Sequence, residues 1–254
     1  IRYYIARLNS DSTVDTAYNP RASGQINTLA LQSDGKVVAG GLFTFFRNGD
    51  DLTKNVDINR IARLNTDGSV DTTLDPSANG RILTHVAQSD GKVIIGGYFT
   101  VVGGLTRNYV ARLNADGTVD TSFAPVANDL ISAIAVQSDG KIVIGGAFTN
   151  ISGLTRRYVA RLNADGSVDA GYNPAPNAQV TALALQGDGK IVIGGSFTTF
   201  QPNGTSATTA RTAACVSGDT SGLLRNASDT VDTDTRALVA TSRMVGWGDF
   251  IERC

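Results

Sequence analysis

Glutamate is almost missing from this sequence: of 23 acidic residues, Glu252 is the only Glu and the rest are Asp. Histidine, methionine and tryptophan occur once each, and lysine five times. Glu, Met and Lys fill helices, whereas Asp bonds to its own backbone and favours turns, so this scarcity excludes a helix-rich chain. A lone His85 cannot build a His-rich metal cluster, and Cys215 and Cys254 lack the spacing of zinc ligands. The two cysteines allow one disulfide without fixing the redox compartment. No run approaches the roughly 18 apolar residues of a membrane span. No signal peptide is visible either, and the chain opens at Ile1 inside a repeat, as a processed form or an excised segment would. Charge is balanced, 22 basic against 23 acidic residues, which leaves no field to draw nucleic acid or an anionic membrane.

What the chain does have is glycine, 28 of them, in strict order. The Gly of "DGK" recurs at Gly35, Gly91, Gly140 and Gly189, in steps of 56, 49 and 49. The second Gly of a "GG" pair recurs at Gly41, Gly97, Gly146 and Gly195 with the same steps. Two markers in one register define a tandem repeat. In the cleanest copy, residues 180–186 ("VTALALQ") read as strand A and 190–198 ("KIVIGGSFT") as strand B. Strand C is 157–163 ("RYVARLN") and strand D is 167–172 ("SVDAGY"). Three-residue turns ending in Gly join A to B and C to D. Strand B is apolar on both faces and should be sandwiched rather than half wet.

The string "NADGSVD" invites a calcium reading, but it offers few carboxylates and no Glu, so a hairpin turn is favoured and no cofactor is expected. With "ADG" as the loop, Arg161 faces Asp169, and the same register pairs Arg7 with Asp15, Arg63 with Asp71 and Arg112 with Asp120. These read as structural, mostly exposed pairs worth about 0–1 kcal/mol each.

Residues 1–200 thus hold four well-matched repeats, and 201–254 a degenerate fifth. Residues 237–250 ("ALVATSRMVGWGDF") align with 182–197 once two turn residues are dropped, matching Gly248 to Gly195 and Phe250 to Phe197. Residues 211–222 fall where a C–D hairpin is due, with Cys215 in the Arg position. The chain opens with an orphan C–D pair (residues 4–18) and would close with an orphan A–B pair. Together they complete a blade, so the expected fold is an all-β propeller of five four-stranded blades. The alternative is an arc cut from a longer array, with the tail as a separate cap.

The tile "ALALQ-DGKIVIGG" followed by "R-YVARLNADGSVD" resembles the delta-60 repeat, a bacterial β-propeller family of unknown function, and its strand order resembles NHL-type blades. The resemblance implies a large secreted or surface-attached bacterial protein, beside adhesion-type modules. It assigns no catalytic residues.

Chemistry is sparse. His85 stands where other repeats have Leu29, Ile134 and Leu183, so a packed, hydrogen-bonded core histidine is expected rather than a catalytic one. Glycoside hydrolysis needs two carboxylates across a cleft, for which Asp129 and the Asp50–Asp51 pair are the candidates, with solvated loop acids as the alternative. The A–B and C–D turns are nearly identical and form a plain face. The B–C and D–A loops share the opposite face, and there the copies diverge, so a ligand or partner is expected on it. The candidate contacts are Arg47, Asp50, Asp51, Arg107 and Arg156, with Arg157 beside them. The expected function is a non-catalytic binding or adhesion scaffold for an extracellular protein or glycan. A structural subunit of a larger assembly and a carbohydrate-active enzyme are the alternatives.

Overall fold

A computed structural model of the chain describes residues 2–48 and 55–202, together with the backbone of 215–216. A short strand, β1 (Pro20–Ala22), precedes the first repeat. That repeat runs through β2 (Ile26–Leu31), β3 (Val37–Gly41), β4 (Phe45–Asn48), β5 (Asn55–Asp57), β6 (Ile61–Leu64) and β7 (Val70–Asp71). The second comprises β8 (Ile82–Ala87), β9 (Val93–Gly97), β10 (Val101–Val102), β11 (Leu105–Thr106) and β12 (Val110–Leu113). The third comprises β13 (Ile131–Val136), β14 (Ile142–Gly146), β15 (Asn150–Ile151), β16 (Leu154–Thr155) and β17 (Val159–Leu162). The fourth comprises β18 (Val180–Leu185), β19 (Ile191–Gly195) and β20 (Cys215–Val216).

The first sheet has the strand order β2-β3-β6-β7, the expected A-B-C-D meander. The second and third repeat it, with strand D reduced to the bridges Leu113↔Val119 and Leu162↔Val168. In the fourth, β20 pairs with β19 so that Val192 faces Cys215, the register in which Val143 faces Arg161. Cys215 thus stands in the Arg position. Residues 237–250 and Cys254 lie outside the described residues, as do the fifth A–B hairpin and the disulfide expected there.

Adjacent sheets pack face to face, and alternate side chains of each strand serve the two interfaces. Val38 and Ile61 meet Ile82, Val93, Ile95 and Leu113 of the second sheet. Ile94 and Val110 meet Ile131, Ile142, Ile144 and Leu162, and Val143 and Val159 meet Val180, Ile191 and Ile193. Strand B is therefore buried on both faces, as its unbroken apolar run demands. The "GG" pair has two separate jobs. A Cβ on Gly40, Gly96 or Gly145 would stand 2.7–2.8 Å from Ile82, Ile131 or Val180 of the next sheet, so this glycine is a socket for the neighbour's first strand A residue. A Cβ on Gly41, Gly97, Gly146 or Gly195 would stand 2.1 Å from a backbone carbonyl at the entry to its own strand A, where the register slips by a bulge.

Candidate functional site

The B–C connections, expected as variable loops, are small hairpins. In the second and third repeats β10 pairs with β11 and β15 with β16. In the first, β4 pairs with both β5 and β1, forming a three-stranded sheet. Elsewhere the D–A linker joins the hairpin through the bridges Ala78↔Val102 and Ala127↔Ile151, and in the fourth repeat Pro176 bridges Phe200 at the equivalent place.

One side chain per repeat clamps this arrangement. Asn79 Oδ1 accepts the Thr100 and Val101 N–H groups at 2.9 and 3.0 Å, and its Nδ2 donates to Thr100 Oγ1 at 2.9 Å. Asn128 holds Thr149 and Asn150 in the same way, and Asn177 holds Thr198 and Thr199. In the first repeat Ser23 Oγ accepts from Thr44 and Phe45. Sequence reasoning missed this clamp although its signal was there: positions 23, 79, 128 and 177 follow the same 56, 49, 49 steps. A net contribution of about 1 kcal/mol per hydrogen bond suffices to order loops that diverge in sequence. The loop face therefore presents fixed side chains. Leu42, Tyr98, Leu105, Val126 and Leu154 stand exposed among its elements, an apolar surface that nothing in the sequence pattern announced.

The candidate contacts fall unevenly on this face. Arg107 and Arg156 occupy equivalent places, each donating Nη1 to the carbonyl of the Thr before it at 2.8 Å. Arg156 is buried, and its Nη2 also donates to the Ala170 carbonyl at 3.0 Å, so it braces the hairpin against the end of strand D. Burial pushes its pKa down from the ordinary arginine value, against the pull of Asp169. Arg47 Nε donates to Asn55 Oδ1 at 2.9 Å, its guanidinium lies over Phe45, and its cross-strand partner is Arg21. Arg157 is exposed. Asp129 is exposed and accepts from the Leu130 N–H. Asp50 and Asp51 lie outside the described residues.

The paired residues of the C–D hairpins are less exposed than expected. Arg63 and Asp71 are buried, as are Arg112 and Asp120, and Arg161 and Asp169 are partly buried, each pair 2.9 Å apart from Nε to Oδ2; of the four pairs, Arg7 with Asp15 is the most open to solvent. Two additional contacts account for this. The Lys of "DGK" reaches across from the A–B turn, placing Lys36, Lys92 and Lys141 at 2.8–2.9 Å from Asp71, Asp120 and Asp169. Each Arg also reaches into the next repeat. Nη1 of Arg7, Arg63 and Arg112 donates to the turn carbonyls of Thr66, Ala115 and Ala164 at 2.6–2.8 Å. Burial works against the ionised Asp71 and Asp120, but the lysine, the neighbouring hydroxyl and the arginine outweigh it and hold both carboxyls well below the usual range. The turn acids are also engaged: Asp116 accepts from the Thr118 N–H and hydroxyl, and Asp67 and Asp165 do the same with Ser69 and Ser167.

His85 is buried as expected, yet neither ring nitrogen makes a hydrogen bond of good geometry. Burial pushes its pKa down to about 4, and the backbone of Val38 offsets this only weakly. A cleft of about 440 Å³ runs between the tip of the β10–β11 hairpin, the linker at Thr73 and Asp75, and the turn at Asp116. Ser77 and Thr118 already occupy one oxygen of Asp75 and Asp116 respectively. Among the described residues no three His, Cys, Asp or Glu gather as metal ligands.

A family model described as a domain of unknown function (DUF5122) beta-propeller matches residues 32–74, 88–123, 137–172 and 186–209, more than half of the chain. The chain belongs to this family. Its matched segments start at the Gln just after strand A, and the first three end just past strand D, so in those three the family tile spans the B–C–D unit. No curated protein matches. Among solved structures, the chain is similar to the computationally designed Ika4 protein, at 17% identity over 68% of this chain and 87% of that one, with a TM-score of 0.47. It is also similar to the extracellular domain of a one-component system from B. thetaiotaomicron, at 14% identity over 74% of this chain and 23% of that one, TM-score 0.47. A gluconolactonase from Xanthomonas campestris is similar at 17% identity over 75% of this chain and 62% of that one, TM-score 0.46.

Proposed function

We propose that this chain is a non-catalytic binding propeller of the bacterial surface or exterior, holding a protein or glycan partner on its B–C/D–A face. The observation that carries the reading is the clamped loop face. The Asn79 and Asn128 clamps fix the β10–β11 and β15–β16 hairpins, and Asn177 fixes the chain at Thr198 and Thr199, so binding there does not pay to order these segments. The mixed surface of Tyr98, Leu105, Leu154 and Arg107 suits a partner with both apolar and acceptor groups. Arg156 is left out of the contact set, because its guanidinium serves backbone carbonyls of its own repeat.

Hydrolysis of a glycoside fits less well. An acid catalyst needs a carboxyl pKa raised by its surroundings. Among the described residues, wherever the surroundings shift a carboxyl, as at Asp71, Asp116, Asp120 and Asp169, they move it down. The location rests on the delta-60 resemblance. Among the described residues no helix is long and apolar enough to cross a membrane, which says nothing of spanning strands.

A glycan array and an extracellular-protein library, with every hit also assayed for turnover, test the reading. Binding without turnover is expected, weakened at least tenfold by Tyr98→Ala or Arg107→Ala and unchanged by Ser138→Ala in the exposed A–B turn of the third repeat. Turnover of a bound glycan, or binding indifferent to the loop face, would overturn it.

A further inference from the structure

Arginine plays two different parts in this chain, and its hydrogen-bond partners tell them apart. On the C–D hairpins Arg63, Arg112 and Arg161 each meet a carboxylate, so their charge is cancelled where it stands. On the B–C hairpins the acceptors are neutral. Arg107 and Arg156 donate to the carbonyls of Thr106 and Thr155, Arg156 also to that of Ala170, and Arg81 on the linker donates to Asn27 Oδ1. A carbonyl satisfies a guanidinium N–H without neutralising the cation, so these blades keep their positive charge.

The surrounding sequence supplies little counter-charge. Residues 98–109 and 147–158, from the end of strand B to the start of strand C, contain Arg107, Arg156 and Arg157 and no acid. The linkers beside them hold Asp75 and Asp129 against Arg81, which leaves arginine in excess. The turns are the reverse. In the four repeats every A–B turn sets one Asp beside one Lys, and every C–D turn carries an Asp and no base. Near-neutral overall charge thus hides a division between basic B–C hairpins and acidic C–D turns in the second and third repeats.

Apolar side chains lie among these cations. Tyr98 is 51% exposed, and Leu105 and Leu154 are 40% and 44% exposed at equivalent places. Thr106 and Thr155 are exposed beside them. Two neighbouring blades therefore show the same Leu-Thr-Arg step, with Arg157 exposed at the end of the second.

We propose that this surface binds an acidic polysaccharide, Arg107 and Arg157 taking its anionic groups and Tyr98, Leu105 and Leu154 the apolar faces of its sugar rings. The inference rests on the binding reading above and names the ligand class. An acidic glycan carries a ring and an anion in its repeating unit, and the surface carries an apolar side chain and a cation in each of two blades. A guanidinium can hold a carboxylate or sulfate through paired N–H groups, which an uncharged glycan cannot exploit. An acidic polypeptide would supply the anions but no ring face for Tyr98.

Calorimetric titration of the full chain with polygalacturonate, a sulfated galactan, an uncharged galactan and polyglutamate tests this. At least one of the two acidic glycans should bind best, and which one does separates carboxylate from sulfate. Raising salt from about 0.05 to about 0.5 M should weaken that binding at least tenfold, because the contacts are exposed charges. Arg107→Gln and Arg157→Gln, with melting temperatures unchanged, should each weaken it about tenfold. Lys190→Gln removes the same charge from an exposed A–B turn and should leave it unaltered. Equal binding of the uncharged galactan, an equal loss with Lys190→Gln, or no binding of either acidic glycan would overturn the inference. So would tighter binding of polyglutamate, which would put an acidic protein on this surface. A ligand from the wider library that needs Tyr98 but ignores salt and both arginines would overturn this inference and leave the binding reading standing.

Discussion

His85 is the residue whose chemistry sits least easily in its place. A neutral imidazole with no good hydrogen bond occupies a position that three other repeats fill with Leu or Ile, and such a buried polar group costs about 1–3 kcal/mol. Its folded pKa of about 4 lies below its ordinary 6.5, so between those values the unfolded chain binds more protons. Stability therefore falls as pH drops from 6.5 to 4, by up to about 3 kcal/mol, and is unaffected by this group above 6.5. His85→Leu should raise the melting temperature at neutral pH and abolish the slope between pH 6.5 and 4, as thermal melts across that range would show. Below about pH 4 a second loss should set in for both proteins, because Asp71 and Asp120 titrate below their unfolded value of 3.8. The sequence marked His85 as buried from the residues in its register, but hydrogen bonding depends on what the neighbouring sheet offers.

At the scale of the C–D hairpin, the Arg–Asp register was legible from the three-residue turn, because hairpin geometry follows from turn length. Its environment was not. The Lys of "DGK" lies 28 residues from its Asp in the second and third repeats, and the turn carbonyl that caps Arg112 belongs to the next repeat. Both contacts depend on how sheets stack. The pairs are thus part of the interface between blades, and the two partners should not behave alike under mutation. Asp120→Ala leaves Arg112 and Lys92 facing each other with no counter-charge and should cost about 3–5 kcal/mol. Arg112→Leu with Asp120→Val should cost less than that single change, since Lys92 can turn to solvent. Chemical denaturation of the three proteins checks the order, which a mostly exposed pair would not produce.

For the whole molecule, the N-terminal hairpin acts as part of the next sheet's wall. Tyr18 is buried, lies under the turn at Gly68 and stacks with Arg7, while Ile5 packs in the cluster of Ala39, Ala62 and Leu64. Removing residues 1–18 should therefore lower the melting temperature and cause self-association, because it strips that wall and bares apolar strand surface. Scanning calorimetry with light scattering checks this; unchanged melting of a monomer would mean the hairpin is not integral. The repeat count, strand order and turn positions were readable from Gly35, Gly41 and their copies, since local backbone geometry alone demands glycine after a three-residue turn or beside a carbonyl. Why the first glycine of "GG" is required, why Asn79 recurs, and why Leu29 is open where His85 is closed were decided only by tertiary structure. Each depends on a side chain or carbonyl outside its own strand, about 20 to 50 residues away, brought near by sheet stacking and loop docking, which a one-dimensional pattern does not encode.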